Sequence, residues 1–567
     1  MGCTSADFAL TSSGRPAPGA TFTVWTAFTS GSQFTALKDI AGNATTVVTS
    51  AADGGVRFYR TDSGQSTLWL DSGVGPRIAV RPVDIAAAPG SGLSGMFNVK
   101  DYGAVGDDTT DDTTAIQNTL SAGAGKTVYI PAGVYKVTDF LTVSAGTVVT
   151  GPGTIHQTGT GKAGLKVNGS GVTIDGLTLK GRQASAAYYA GENAVEAIAP
   201  NLAGAYTGIE VRNCTISLWG YSGIQMQFVN GFEIAGNQIA TTGYNGIAVL
   251  SGANGLIQGN RVQGVGPGSS GNMYGIALSY GSTESASNPS CHDVVVDGNI
   301  VQDVDWEGIE THGGLRITFS NNQILHCKTG IAFAQGDITS ITDAVVSGNM
   351  IDYLTDDYTG GDNYTVQVYG STTMQASGVV ITGNSFRRHT FMTLKYCSGT
   401  TVTGNLFDRC FQVCIWIEVE SRKSLIAGNT FCDTWDASGG WTNPIRSIST
   451  STNATALIVN NSIARGTLAT GTRVINADGF YFDDTPAGIS FKVFGNDLSA
   501  LSGTKIGGAT PGVVTTGGQL QVDGNVGFYG TTPIAKPTVS GSRGGNAALA
   551  SLCTALASLG LITNSTS

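Results

Sequence analysis

From about residue 172 to residue 498, apolar and polar residues alternate with a period of two over short runs divided by turn residues. That is the pattern of half-buried strands, and no window here keeps the 3.6-residue period of an amphipathic helix. One phrase recurs through the stretch in the form apolar, x, Gly, Asn, x, apolar: IAGNQI, IQGNRV, VDGNIV, FSNNQI, VSGNMI, ITGNSF, VTGNLF, IAGNTF, IVNNSI and VFGNDL. Its Asn falls at 237, 260, 299, 322, 349, 384, 405, 429, 461 and 496, and in two earlier copies Leu177 and Cys214 hold the place. The shortest spacings, 21 to 24 residues, indicate a stacked repeat whose unit cannot bury its own apolar face and leans on its neighbours.

About ten residues after most of these Asn residues comes a second phrase built on Gly-Ile: SGIQMQF, NGIAVL, YGIALSY, EGIETHG and TGIAFAQ, continued as YTVQVYG, MTLKYC, VCIWIEVE and PIRSI. Each repeat is therefore two or three short strands joined by turns, and the architecture expected is a parallel β-helix. The Asn after Gly suits a left-handed bend, and stacked Asn side chains can hydrogen-bond from rung to rung, so these residues are read as structural.

Composition narrows the class. Glycine is abundant at 81 residues and only 12% of residues are charged, which suits many tight turns between uncharged strands. The net charge of −10 argues against nucleic acid as a partner. At 567 residues more than one domain is expected. Nine scattered Cys residues make no disulfide framework, and Cys397, Cys410, Cys414 and Cys432 fill a core better than they bind metal. No charged-then-apolar leader opens the chain, so no signal peptide is expected, and no apolar run is long enough to span a membrane.

Residues 1–85 read as a small β domain without clustered chemistry, 86–96 as a linker, 97–500 as a capping helix and the β-helix, and 501–567 as an end segment. Thr110 or Asp111 is expected to cap a helix with Asp111 and Asp112 in its first turn and Ile116 and Leu120 on its apolar side. The acidic run lacks the spacing of a calcium loop. In the end segment Leu549, Leu552, Leu556 and Leu559 are spaced 3, 4 and 3, a stripe for packing helix on helix.

The sequence NVKDYGAVGDDTTDDTTAIQ, followed by VYIPAGVYKV, resembles the opening motif of the pectate-lyase-like, right-handed parallel β-helix superfamily, in the branch common among phage tailspikes. VGFYGTTPIAKP and GSRGGNAALASL resemble the closing segment of phage fibre and spike proteins. FTVWTAF and TLWLDSGVGPR resemble, more loosely, the leading domain of tail proteins from phages of actinobacteria. The resemblance implies an all-β, right-handed solenoid that forms a homotrimer, attaches to tail or virion proteins through its N-terminal domain, and resides in the virion. It leaves the reaction open, because the superfamily includes hydrolases, lyases, epimerases and inactive spikes. The polygalacturonase-like signature (Asn-Thr-Asp, a paired Asp, Gly-His-Gly, Arg-Ile-Lys) is not intact, and THGG and LRIT match its last two parts only faintly.

Counting from the Gly-Ile phrase, Ile faces in and the residues one and three places later face out. The outward pairs then read Glu310 and His312, Ala332 and Ala334, Gln367 and Tyr369, Lys395 and Cys397, Trp416 and Glu418. In DVDWEGIETHGG a carboxylate and an imidazole leave one face two residues apart, with Asp305, Trp306 and Glu307 at the strand entrance. Ala332 and Ala334 give a shallow floor, and Gln367, Tyr369 and Lys395 rise beyond it. Inserts before Asn299 and Asn384 are expected to wall this cleft, the second offering Asp356, Asp357 and Asp362; an earlier insert, 183–206, carries Glu192 and Glu196 several rungs away.

Glycoside hydrolysis needs two carboxyl groups some 5 to 9.5 Å apart, and Glu310 with Glu307 or an Asp of the second insert answers that need. The candidate catalytic residues are Glu310, His312, Glu307 and Asp362; Trp306, Gln367, Tyr369, Lys395, Trp416 and Glu418 are the candidate substrate-binding set. A lyase would instead use His312, Tyr369 and Lys395. No metal or cofactor is expected. The first reading is a phage tailspike or fibre that binds and cleaves a bacterial surface polysaccharide, as a glycosidase before a lyase. The alternative is a binding or capsid-decorating fibre without catalysis, in which Glu310 and His312 merely stand on a solvated face.

Overall fold

The computed structural model describes residues 96–464 apart from 185–186, 267–271, 282, 354–363, 411–412, 434, 437–442 and 448–452, together with segments within 2–80, 474–508 and 538–567. Asp356, Asp357 and Asp362, residues 86–95 of the expected linker, the stretch 526–537 and Leu559 lie outside the described residues. Met96, the last residue of that linker, instead begins the first solenoid strand, Met96–Asn98.

The chain winds into a right-handed parallel β-helix of three faces. The coil around Asn299 illustrates it. His292–Asp297 lies on one face, and Ile300–His312 then runs over the other two, bending between them. Every such strand pairs in parallel with its counterparts in the coils before and after, as Ile309 does with Ile276 and Ile331. The inward residues expected from the Gly-Ile phrase, among them Ile224, Ile247, Ile276, Ile331, Val366 and Ile415, are fully buried. Phe386, Phe407 and Phe431 continue the core as a stack with centroids 5.0 Å apart.

The Asn residues form a ladder from Asn237 to Asn496, buried as far as Asn461. Asn299 donates from both its backbone N and its Nδ2 to Oδ1 of Asn322, at 2.9 and 3.0 Å, and Asn322 repeats this toward Asn349 at 2.9 and 3.0 Å. Each Nδ2 also caps a carbonyl of an earlier coil, Ile257 O for Asn299 and Val296 O for Asn322, both at 2.9 Å. The left-handed residue is not the ladder Asn but the one before it: Gly298 has φ 64° and Asn321 φ 54°. The chain turns there, and the Asn that follows spends its amide on the stack.

The opening helix, Thr113–Ala122, begins later than its acidic run suggested, because Asp107–Asp111 is a strand. Asp112 is its N-cap residue without a side-chain cap bond; its oxygens accept instead from Val105 N and Gly106 N at 2.7 and 2.9 Å. Asp107 and Asp111 accept from the amides of Thr109, Thr110 and Thr113. The acidic run therefore fastens turns. Ile116 and Leu120 are buried at the end of the solenoid.

Ahead of the solenoid, two four-stranded antiparallel sheets enclose Phe22, Val24, Leu37, Phe58, Leu68 and Leu70. The chain divides into two compact units, the second formed by 492–494 and 514–567. Within it, Thr538–Gly541 pairs in parallel with Thr563–Thr566, and the helix Ala547–Ser558 is capped by Asn546, whose Oδ1 accepts from Ala548 N and Leu549 N. Leu549 and Leu552 of that helix are exposed. No helix among the described residues is long and apolar enough to cross a membrane.

Candidate functional site

Glycine decides which side chains meet on the outer face. A Cβ at Gly246, Gly275 or Gly308 would come within 2.3 to 2.5 Å of Val262, Val301 or Ile324, so only glycine lets the chain turn its corner against the core. That bend rotates the preceding residue outward. Asn245, Tyr274, Glu307 and Thr329 consequently stack at one corner, and Glu307 comes out on the same side as Glu310, three residues on, where a straight strand would have put them on opposite faces.

Beyond the corner two columns run along the solenoid axis. One passes Ala277, Glu310, Ala332, Gln367, Thr393 and Trp416; the other passes Ser279, His312, Ala334, Tyr369 and Lys395. Thr393 and Lys395 are thus the outward pair of their rung. Cys397, expected beside Lys395, belongs to the separate short strand Cys397–Ser398 and is fully buried; the chain turns at Tyr396, with φ 49°, and the alternation is interrupted there.

Glu310 is not on a solvated face. It is 1% exposed, and Nδ1 of His312 lies 2.7 Å from its Oε2. The two side chains form an ion pair that is closed to water on the carboxylate side. The neighbouring carboxylate Glu310 pushes the His312 imidazole up to about 9, against the opposing effect of its burial. Glu307 is 9% exposed, and burial first, then the charge of Glu310, pushes its carboxyl up to about 8. At neutral pH one corner holds a protonated carboxylic acid and an imidazolium beside Glu310. Buried ionisable groups of this kind cost stability, and they cluster where chemistry needs them.

Trp306 hydrogen-bonds Glu307 and carries the Lys328 ammonium 3.5 Å from its ring centroid. On the other side Tyr280 stands 6.4 Å from His312 and bonds Asp337. The insert that bears Tyr280 is clamped by buried Glu284, which accepts from Ser290 Oγ, Ile338 N and Thr339 N at 2.6, 2.7 and 3.0 Å. That insert walls the site as anticipated.

On the far side of the alanine floor lies a cleft of about 490 Å³ lined by Ala332, Ala334, Gln367, Tyr369, Ser371 and Lys395, among others. Lys395 Nζ donates to Tyr369 Oη at 2.6 Å and lies 3.7 Å from Glu418. Burial raises the Glu418 carboxyl. Trp416 sits four rungs from Glu310, roughly 19 Å at the strand spacing, so Trp416 and Glu418 border the far end of the cleft rather than the carboxyl pair.

A row of tyrosines on the near side was missed in the sequence. Tyr221 and Tyr244 stack at 5.1 Å, Tyr244 meets Tyr274 edge-on at 5.8 Å, and Tyr274 meets His312 at 6.4 Å. The insert 183–206, placed several rungs away, delivers Tyr188 onto this row, 5.6 Å from both Tyr221 and Tyr244. Its Glu192 is a clamp, accepting from Gly161 N, Arg182 Nε and Gln183 Nε2 at 2.9, 2.7 and 2.6 Å. The signal was present: an aromatic residue stands one or two places ahead of Gly-Ile in GYSGI, GYNGI, MYGI and WEGI.

Residues 96–332 match the family described as rhamnogalacturonase A/epimerase, pectate lyase-like. Over 44 residues the chain is 57% identical to mannuronan C5-epimerase AlgE3 of Azotobacter vinelandii, covering 7% of this chain and 2% of that protein. The chain spans between 2% and 8% of the length of the curated relatives it matches. Among solved structures, tailspike protein 3 of bacteriophage CBA120 is 15% identical with a TM-score of 0.44, covering 80% of this chain and 64% of that one. The catalytic unit of the GH87 α-1,3-glucanase of Streptomyces thermodiastaticus is 15% identical with a TM-score of 0.42, covering 84% and 88%.

Proposed function

We propose, on the premise of a pectate-lyase-like β-helix, that this chain is a phage tailspike or fibre that binds and depolymerises a bacterial surface polysaccharide by glycoside hydrolysis. The observation that carries the chemistry is the corner at Gly308, which puts a protonated Glu307 and Glu310 on one side of one strand. Glu307 gives its proton to the glycosidic oxygen as the C–O bond breaks, and Glu310 either takes a proton from the attacking water or attacks the anomeric carbon itself. His312 balances the charge of Glu310 before and after the step. Trp306 holds Glu307 in place, and the alanine floor with Gln367, Tyr369 and Lys395 receives the neighbouring sugar.

Hydrolysis is preferred to elimination because the groups a lyase would use are divided. Ala334 separates His312 from Tyr369 by two rungs, while Tyr369 is engaged by Lys395. The virion role, a homotrimer and attachment through the N-terminal domain rest on the likeness of the two ends to phage proteins. Asp362 stays in the proposal as a third carboxylate beside the cleft. A binding-only fibre is the second reading, favoured by the near-complete closure of Glu310.

The test is to incubate the protein with surface polysaccharide from candidate host bacteria and follow chain length by size-exclusion chromatography and the ultraviolet absorbance of unsaturated uronates. Shortening without new absorbance, lost in Glu307→Gln, supports the hydrolase; shortening with new absorbance overturns it in favour of elimination. Binding without shortening makes the chain an adhesin.

A further inference from the structure

Tyr188 and Tyr189 are large, 49% and 44% exposed, and yet firmly held. Tyr189 N donates to Gly220 O at 2.6 Å, and Tyr221 N to Glu192 O at 3.0 Å. Glu192 in turn spends both oxygens on the buried bonds to Gly161, Arg182 and Gln183. The Arg182 guanidinium lies 4.6 Å from the Tyr189 ring centroid. A solvent-facing apolar surface kept rigid by a buried carboxylate is what a binding platform requires, because little conformational freedom is left to lose when a ligand arrives.

The ring geometry says how a ligand would lie. Tyr221 and Tyr244 are within 20° of parallel and stack rung over rung. Tyr188 is equidistant from both and inclined at 72° and 87° to them. Its plane therefore runs along the solenoid axis, astride the pair, with about half of its surface in water. An elongated molecule lying along the axis can rest a flat apolar face on it. The same line leads through Tyr244 and Tyr274 to the corner of Glu307, three rungs or roughly 14 Å from Tyr221.

We infer that Tyr188 and Tyr189 form a sugar-stacking subsite for the neutral pyranose rings of a glycan whose chain runs along the solenoid axis to the Glu307 and Glu310 corner. This rests on the polysaccharide reading and adds a substrate class and a direction to it. Pyranose C–H faces pack on an aromatic face, and the phenol hydroxyls at the rim take hydrogen bonds from ring hydroxyls. The platform is uncharged apart from Arg182, so it selects neutral sugars for these positions. Because it stands away from the carboxyl pair, it would hold the chain several units from the bond that breaks, which favours internal cleavage of long chains.

The experiment uses the full chain and a panel of neutral hexasaccharides as probes: β-1,4- and β-1,3-glucan, α-1,4-glucan, β-1,4-mannan and β-1,4-xylan, each at millimolar concentration, followed by saturation-transfer NMR. At least one probe should receive saturation from the wild type, and the doubly substituted Tyr188→Ala, Tyr189→Ala protein should lose it at least about fivefold. Unchanged melting will show that the variant is folded, as the exposure of both rings predicts. Gln323→Ala, an exposed position outside the tyrosine row and the carboxyl corner, should bind as the wild type does. Absence of transfer to every probe, or transfer unaffected by the double substitution, overturns the subsite. If Glu310→Gln still shortens host polysaccharide while the tyrosine variant loses its probe, the carboxyl assignment fails and the subsite stands.

Discussion

His312 Nδ1 lies 2.7 Å from Oε2 of Glu310, and the carboxylate is almost wholly withdrawn from water while a third of the imidazole is exposed. The carboxylate is what keeps the imidazole charged. Replacing Glu310 with Gln should bring the His312 pKa down from about 9, because it removes the largest of the effects that raise it and leaves burial opposed only by the weaker pull of Glu307 and Asp337. Titration of the labelled His312 ring by NMR reads this directly, and an unchanged value would show that the pairing is not formed in solution.

The two raised pKa values give stability a sign. Glu307 keeps its proton in the folded protein up to about 8, whereas in the unfolded chain it ionises near 4.5; stability falls as pH rises between those values. His312 goes from 6.5 unfolded to about 9 folded, so its contribution is full below 6.5 and is lost as pH rises through 9. Both act in the same direction. The melting temperature should decline from pH 5 to pH 9, and Glu307→Gln, which cannot ionise, should flatten the decline below pH 8.

Catalysis should follow the same groups. With Glu307 as acid, the rate falls as pH rises through about 8, and Glu307→Gln or Glu310→Gln should each lower the rate roughly 100- to 10,000-fold. Binding of the polysaccharide should persist in both. Equal activity in wild type and both variants would remove this corner from the chemistry.

The ladder makes a separate prediction about folding. Asn322→Ala removes the oxygen that accepts from Asn299 N and Nδ2; Nδ2 keeps its bonds to Ile257 O and Asp297 O, while the buried Asn299 N–H loses its acceptor at a cost of about 1–3 kcal/mol. Chemical denaturation should show a loss of at least about 1 kcal/mol. An exposed control, Gln323→Ala on the next residue, should change stability little.

The exposed Leu549 and Leu552 bear on assembly. If the end segment joins copies of the chain, light scattering should give three times the 58.0 kDa chain mass, and Leu549→Glu with Leu552→Glu should reduce it to that of a single chain. A single-chain mass for the wild type would dismiss the trimer.

The sequence by itself determined the solenoid, its inward residues and the rung that carries Glu310 and His312, because side-chain alternation and a repeating Asn are local signals written in every coil. Tertiary structure alone decided what those residues experience. Glu310 is surrounded by His312 on its own strand, Glu307 across the corner and Tyr274 of the coil before it. The outward position of Glu307 depends on a corner that only glycine permits against Ile324, and the partner of Tyr369 on where the next coil turns at Tyr396. Alternation tells in from out, but how far out a side chain stands from water is set by neighbours that the coil spacing, not the chain, brings near.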